Sequence, residues 1–235
     1  MGTNAIFDRL ITLHPALRAA ASVVTFIRGD IFGKPGAPVE SIILPYSGVI
    51  SQVAALPDGD YVEGAMIGRY GATGIGVAFG SALHETTSIA AMAGAGWGLS
   101  ISAVTDALQA QPALADTLFR SFQYLQAQAR QTAACNAKHD IEHRLASWIL
   151  RMGEESGEKE LGLTQDVMAQ MLGVQRASVS AAASGLQGSG VIRYRRGNLR
   201  ISDYRGLEQK SCGCHRALRE MRLRLLVEAA ETSPS

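Results

Sequence analysis

The sequence predicts an α+β protein in three parts: an N-terminal antiparallel β-roll, a long helix and a C-terminal winged helix-turn-helix. Three observations carry this. Short β-rich runs separated by Gly and Pro turns fill residues 22–71 and continue through 87–103. Apolar residues at alternating steps of four and three follow. A run of small residues, "GVQRASVSAAASGLQGSG" (173–190), then precedes an Arg-rich hairpin. The expected divisions are 1–105 for the β-roll, 106–137 for the long helix and 138–235 for the winged helix-turn-helix.

The chain has 235 residues, enough for one large or two ordinary domains. Its net charge of +1 gives no whole-chain argument for or against nucleic acid, so the distribution has to decide. No Lys or Arg occurs from Tyr70 to Phe119, whereas five Arg lie between Arg193 and Arg205, with Arg216, Arg219, Arg222 and Arg224 beyond. Such clustering marks an electrostatic footprint. Three cysteines, Cys135, Cys212 and Cys214, make no disulfide framework and point to a reducing, cytoplasmic compartment. The N-terminus lacks the apolar stretch of a signal peptide. Thr86–Thr105 is long enough and uncharged enough to be tested as a membrane span, but its Ala, Gly, Ser and Thr content fits buried strands better, so no membrane association is expected.

Ile6, Leu10, Leu13 and Leu17 space a short amphipathic helix. In the β-rich part, Arg-Gly-Asp, Lys-Pro-Gly and Pro-Asp-Gly-Asp supply the turns. After Ala103, Leu118, Phe122, Leu125, Ala129, Thr132 and Asn136 define a near-heptad seam on a helix of about thirty residues. Either that seam packs on the chain's own β-roll or it pairs with a twin. The reading preferred here is the homodimer, held by Leu118, Phe122, Leu125 and Ala129. A second helix carries Ile141, Leu145, Trp148, Ile149 and Met152 on one face, and "GEESGEKE" follows as a polar connector.

Leu163–Ile192 meets the demands of a helix-turn-helix together. Thr164 is an N-cap. Met168, Leu172, Val174, Val179 and Ala182 fall where apolar side chains must be buried, and Ala169 is small where the two helices touch. Gly173 stands where the turn calls for positive φ. Small side chains on the second helix let its backbone lie close to a major groove. The residues expected to face DNA are Thr164 and Gln165 at the start of the first helix and Gln175, Arg176, Ser178 and Ser180 on the second. Arg can take guanine O6 and N7 together, and Gln the matching pair on adenine. "VIRYRRGNLRIS" reads as a hairpin with a Gly-Asn turn, and Arg195, Arg196 and Arg200 are expected to neutralise phosphate.

The order of elements, with "FIRGDIFGKPGAPVESIILPYSGVIS", "DGDYVEGAMIGRYGATG", "LTQDVMAQMLGVQRASVSAAASGLQGSGVIRYRRGNLRI" and the tail "GLEQKSCGCH", resembles the Crp/Fnr superfamily of bacterial transcription regulators over nearly the whole chain. The resemblance implies a double-stranded β-helix of the cyclic-nucleotide-binding type. It also implies a homodimer on a two-fold symmetric operator of double-stranded DNA, contact with RNA polymerase, and an unidentified small-molecule effector. The family's recognition helix opens with Arg, Glu and a later Arg as base readers. Only the first is matched, by Arg176; Ala177 and Ala181 stand at the others. The Arg that family members use for a cyclic phosphate has no counterpart in the stretch without Lys or Arg, which argues against control by cyclic AMP.

No enzyme motif is present, and no cofactor is expected. The first 134 residues lack cysteine, which speaks against an iron–sulfur sensor in the β-roll. His14 and His84 are isolated, and His139 and His143 are one helical turn apart without a third ligand. Cys212, Cys214 and His215 begin a metal-like spacing that Cys135 or His139 would have to complete; the preferred reading is a tail without metal. A competing function is a ligand- or partner-binding protein with a vestigial DNA module, because two base-reading positions are Ala.

Overall fold

The computed structural model describes residues 2–227. Helix α1 (Ala5–Leu13) starts at Asn4, whose side-chain oxygen accepts from the amides of Ile6 and Phe7. The Asn4 amide nitrogen donates to the carbonyls of Pro45, Gly68 and Gly71, so one fully buried side chain fixes the helix to the sheet. Pro15 then opens α2 (Ala16–Ala20).

Strands β1 (Ser22–Phe26), β2 (Ile31–Gly33), β3 (Ser41–Ala55), β4 (Tyr61–Ile67) and β5 (Thr87–Ser100) form one antiparallel sheet in the order β1-β5-β3-β4, with β2 also on β5. The long strands β3 and β5 bend where their register shifts between Pro45 and Ile50. Gly48, at φ 69°, sits in that bend, and a Cβ there would come within 2.5 Å of the Ala93 carbonyl oxygen. A short 3-10 helix, Ile75–Phe79, lies between β4 and β5. The segment tested as a membrane span is therefore β5 and the start of the next helix, and no helix among the described residues is long and apolar enough to cross a membrane.

The long helix departs from expectation twice. It is broken: α3 (Ile101–Ala110) ends before Pro112, and α4 (Leu114–Lys138) begins after it. Proline offers no amide hydrogen and pushes Gln111 out of helical geometry, here φ −140°, ψ 85°. The expected dimer seam also faces inward. Leu118 and Leu125 are 1% and 3% exposed within the single chain, packed in the core with Ile6, Leu10 and Ile67. Phe122 packs against the same core, and Ala129 faces Gly64 of β4. A four-three spacing fixes which residues share a face, not what covers that face. Here the chain's own sheet covers it, so the buried Leu118–Leu125 pair cannot be the surface offered to a twin.

Helix α5 (Ile141–Ser156) is capped by the Asp140 carboxylate and carries Leu145, Ile149 and Met152 fully buried. It runs through much of the expected polar connector. Glu155 is 2% exposed and accepts from the Tyr124 hydroxyl. Then follow β6 (Glu160–Leu161), α6 (Gln165–Leu172), α7 (Arg176–Gly188), β7 (Ile192–Arg195), β8 (Asn198–Ile201), α8 (Tyr204–Lys210) and α9 (Cys214–Arg222). Strands β6, β8 and β7 make a small second sheet. One apolar core joins Val53, Met66 and Met92 of the large sheet to Trp148, Met168, Val179 and Leu186 of the helical part.

Candidate nucleic-acid interface

The turn between α6 and α7 is built as the sequence requires. The Thr164 hydroxyl accepts from the Val167 amide at 3.3 Å, and Gly173 closes α6 at φ 63°. Met168 and Val179 are fully buried and Ala169, Leu172 and Ala182 nearly so, while Val174 is half-buried. A Cβ on Gly173 would also lie 2.9 Å from Val62 of β4, so this position is restricted by backbone and by space.

These contacts leave the first turn of α7 outward. Gln175 is its N-cap but spends no side-chain hydrogen bond on the helix, and it is exposed with Arg176. Arg176 lies 3.4 Å from Asp166, both side chains 66% exposed. A pair so solvated contributes little and can be exchanged for another partner. Ser178 and Ser180 are half-buried, and the Ser184 hydroxyl is occupied by the Ser180 carbonyl. Asp60 of the β3–β4 turn and Asp166 line the cleft beside Gln175 and Ser178. Thr164 is committed to its capping bond, with Gln165 half-buried beside it.

The wing differs from expectation in its turn. Arg195 pairs with Asn198, so the turn residues are Arg196 and Gly197, at φ 47° and 81°. Two consecutive positive φ values are the geometry that matches strand twist in a two-residue hairpin. Arg196 is the one non-glycine residue at positive φ among the described residues, and it occupies the wing tip. Arg193, Arg195 and Arg200 alternate with Ile192, Tyr194 and Leu199 and so share the solvent face. Arg200 lies 3.6 Å from Glu160, an exposed pair.

Behind this surface lies a polar network that sequence reasoning missed. Glu63 of β4, 2% exposed, accepts from the Trp148 indole at 3.0 Å and from the Ser51 hydroxyl. Burial pushes its carboxyl above the ordinary range, against the pull of Arg151 and its two hydrogen bonds. Glu155 is raised by burial as well, while Arg222 draws it down. Arg222 reaches Glu154 at 2.8 Å and Glu155 at 3.7 Å, and stacks 4.2 Å over the Tyr70 ring. The signal available in the sequence was weak: Glu154 and Glu155 fall in a Gly- and Glu-rich run that reads as solvated.

The shift at Glu63 has a consequence for stability. A carboxyl raised in the folded state binds its proton more tightly there than in the unfolded chain. Its contribution is therefore fully present below the unfolded value and declines as pH rises through the folded one. Glu63→Gln keeps the shape and removes the titration. Thermal unfolding of both proteins from about pH 5 to pH 8 should show the variant losing less stability with rising pH. Parallel profiles would mean that Glu63 does not titrate differently on folding.

Two further groups were placed by sequence without a firm role. His215 is buried and bonds Glu154 at 3.0 Å, away from the cysteines. Cys135, His139, Cys212 and Cys214 converge instead. In the β-roll, a cleft of about 70 Å³ is bordered by Gln52, His84, Glu85, Ser88, Phe122 and Gln126, and no Lys or Arg lines it.

Residues 143–210 match the Crp-like helix-turn-helix domain. Among solved structures, the chain is similar to FixK2 from Bradyrhizobium japonicum, with a TM-score of 0.69 at 16% identity over 82% of this chain and 98% of that one. It is also similar to TTHA1359, a transcriptional regulator of the CRP/FNR family from Thermus thermophilus, with a TM-score of 0.63 at 23% identity over 81% and 98%. A third is the c-di-GMP-responsive global regulator CLP from Xanthomonas campestris, with a TM-score of 0.61 at 16% identity over 84% and 97%. No curated protein matches the chain significantly in sequence. The chain has the fold of the Crp/Fnr regulators, and it carries a Crp-like helix-turn-helix domain.

Proposed function

We propose that this protein is a cytoplasmic, sequence-specific DNA-binding transcription regulator of the Crp/Fnr type, working as a homodimer on a two-fold symmetric operator. The observation that carries the reading is the exposed first turn of α7, with Gln175 and Arg176 outward, beside a wing whose Arg193, Arg195 and Arg196 have no ion pair among the described residues. Arg176 reads a base, Gln175 and Ser178 support it, and the wing arginines fix the module on phosphate. Ala177 and Ala181 leave fewer base readers than the family typically has, so the operator differs from the family's usual consensus. The same two alanines favour the second reading, a vestigial DNA module on a ligand- or partner-binding protein. Gel-shift titration against the protein's own upstream region separates the two. Saturable binding that survives excess random duplex supports the regulator, and binding no tighter than to random duplex supports the alternative.

Dimerisation needs a surface other than Leu118–Leu125. On the outer side of α4, Phe119 is 43% exposed and stacks edge-on against Phe79, itself 44% exposed, which also touches Phe122. Exposed aromatic groups of this kind bury well against a twin. Phe119→Glu should give a monomer in sedimentation with the fold unchanged by circular dichroism. A folded variant that still sediments as a dimer would remove this side of α4 from the interface.

Control by cyclic AMP does not fit the β-roll cleft. Its volume is below the roughly 300–1,000 Å³ usual for small-molecule sites, and Glu85 is the charged side chain on it. A cyclic phosphate would have no cation there to offset its desolvation. Calorimetry with cyclic AMP is expected to show no micromolar site; a saturating isotherm would contradict this.

A further inference from the structure

We propose that Cys135, His139, Cys212 and Cys214 form a closed structural site for a single zinc ion, which fastens the C-terminal helices to α4. The four ligand atoms, three Sγ and one imidazole nitrogen, all lie within 4.8 Å of one another. Cys135 Sγ is 3.5 Å from Cys212 Sγ, and Cys214 Sγ is 3.6 Å from His139 Nδ1. Zinc bonds of about 2.3 Å to sulfur and about 2.0–2.1 Å to nitrogen give a tetrahedron with edges of about 3.8 Å for S–S and about 3.5 Å for S–N. The observed spacings fit one ion at the centre. A four-iron cluster holds each thiolate on a separate iron and needs them further apart.

The sequence makes the site from two short pieces. Gln131 and Cys135 are four apart on one face of α4, and His139 follows as its C-cap. Asp140 caps α5, so α4 stops at His139, whose backbone is extended and turns the ring to the thiols. Cys212 and Cys214 flank Gly213 at the junction of α8 and α9. Gln131 Nε2 donates to Cys214 Sγ at 3.0 Å, the kind of outer bond that holds a ligating thiolate in place. All three cysteines are buried and His139 is exposed, which leaves an entry path on the imidazole side. Four protein ligands leave no open position, so the role is structural rather than catalytic. Three thiolates with one imidazole select zinc over harder divalent ions. The expectation of a metal-free tail is therefore set aside: His139 takes the place that the Cys-Gly-Cys-His spacing suggested for His215.

The full chain, purified under reducing conditions without chelator, should contain one zinc per chain by elemental analysis. Cys214→Ser should lower that content about tenfold or more. A serine variant can fail to fold, so two further measurements are needed. Gln131→Ala touches no ligand position and should weaken zinc binding about 10–100-fold in competition with a chromogenic chelator. Wild-type protein stripped of metal should take up one equivalent of Co²⁺, with thiolate charge-transfer and tetrahedral d–d bands that added zinc abolishes. Failure of the wild-type chain to hold zinc or take up Co²⁺ would overturn the proposal. So would iron with inorganic sulfide in the purified protein, or a Cys135–Cys212 disulfide in protein freshly isolated from the cell.

Discussion

Arg222→Met is expected to lower stability by about 3–5 kcal/mol at neutral pH, the usual cost of leaving a buried charge without its partner. Arg222 is the cation between Glu154 and Glu155, and Glu155 is 2% exposed. The methionine replaces the stem but not the charge. Burial already favours the protonated form of Glu155, so the loss should shrink as pH falls and protonation removes the stranded charge. Glu155→Gln introduced with Arg222→Met should restore part of the stability, because the two groups are coupled. Denaturant unfolding of the two single variants and the double variant at two pH values measures this. Additive single-variant losses would show that the pair does not interact.

The second large effect is on DNA. Arg176→Ala should cost about 1–3 kcal/mol in operator affinity and relax preference at one base pair in each half-site. Arg196→Ala should weaken operator and random duplex alike and flatten the salt dependence, because a phosphate contact acts by releasing counterions and carries no base information. Alanine at position 196 keeps a side chain at positive φ, so the backbone cost of the wing tip is little changed. Titration of each variant at two salt concentrations, on operator and on random duplex, separates the effects. An unchanged preference in Arg176→Ala with an altered one in Arg196→Ala would put the reading surface on the wing.

The winged helix was the most legible part of the chain because its signals are local. Thr164, Gly173 and the buried apolar set each act within a few residues of their own position, and the structure uses each as the spacing implies. The break before α4 was missed: Pro112 stands inside the span read as one helix of residues 106–137, and the apolar spacing that defined that helix lies wholly beyond it. What could not be read was which neighbour covers a face. Leu118 and Leu125 form a seam in either arrangement; only the position of the sheet decides that they are spent within the chain. The same holds for Glu63 and Glu155, whose partners Trp148, Tyr124 and Arg222 are distant in sequence. The cysteines show the difficulty at its sharpest. The tight Cys-Gly-Cys-His spacing suggested His215 as a neighbour, but α9 turns His215 to Glu154, and α4 brings His139 and Cys135 to the thiols instead.

Selection of binding sites from a random duplex library shows whether α7 reads DNA sequence. A two-fold symmetric motif should be enriched, with half-sites about 10–10.5 bp apart centre to centre or a multiple of that, as the helical repeat of DNA demands of two outward-facing recognition helices in one dimer. Recovery of no motif from folded, dimeric protein would contradict it and leave the helix-turn-helix as a vestige.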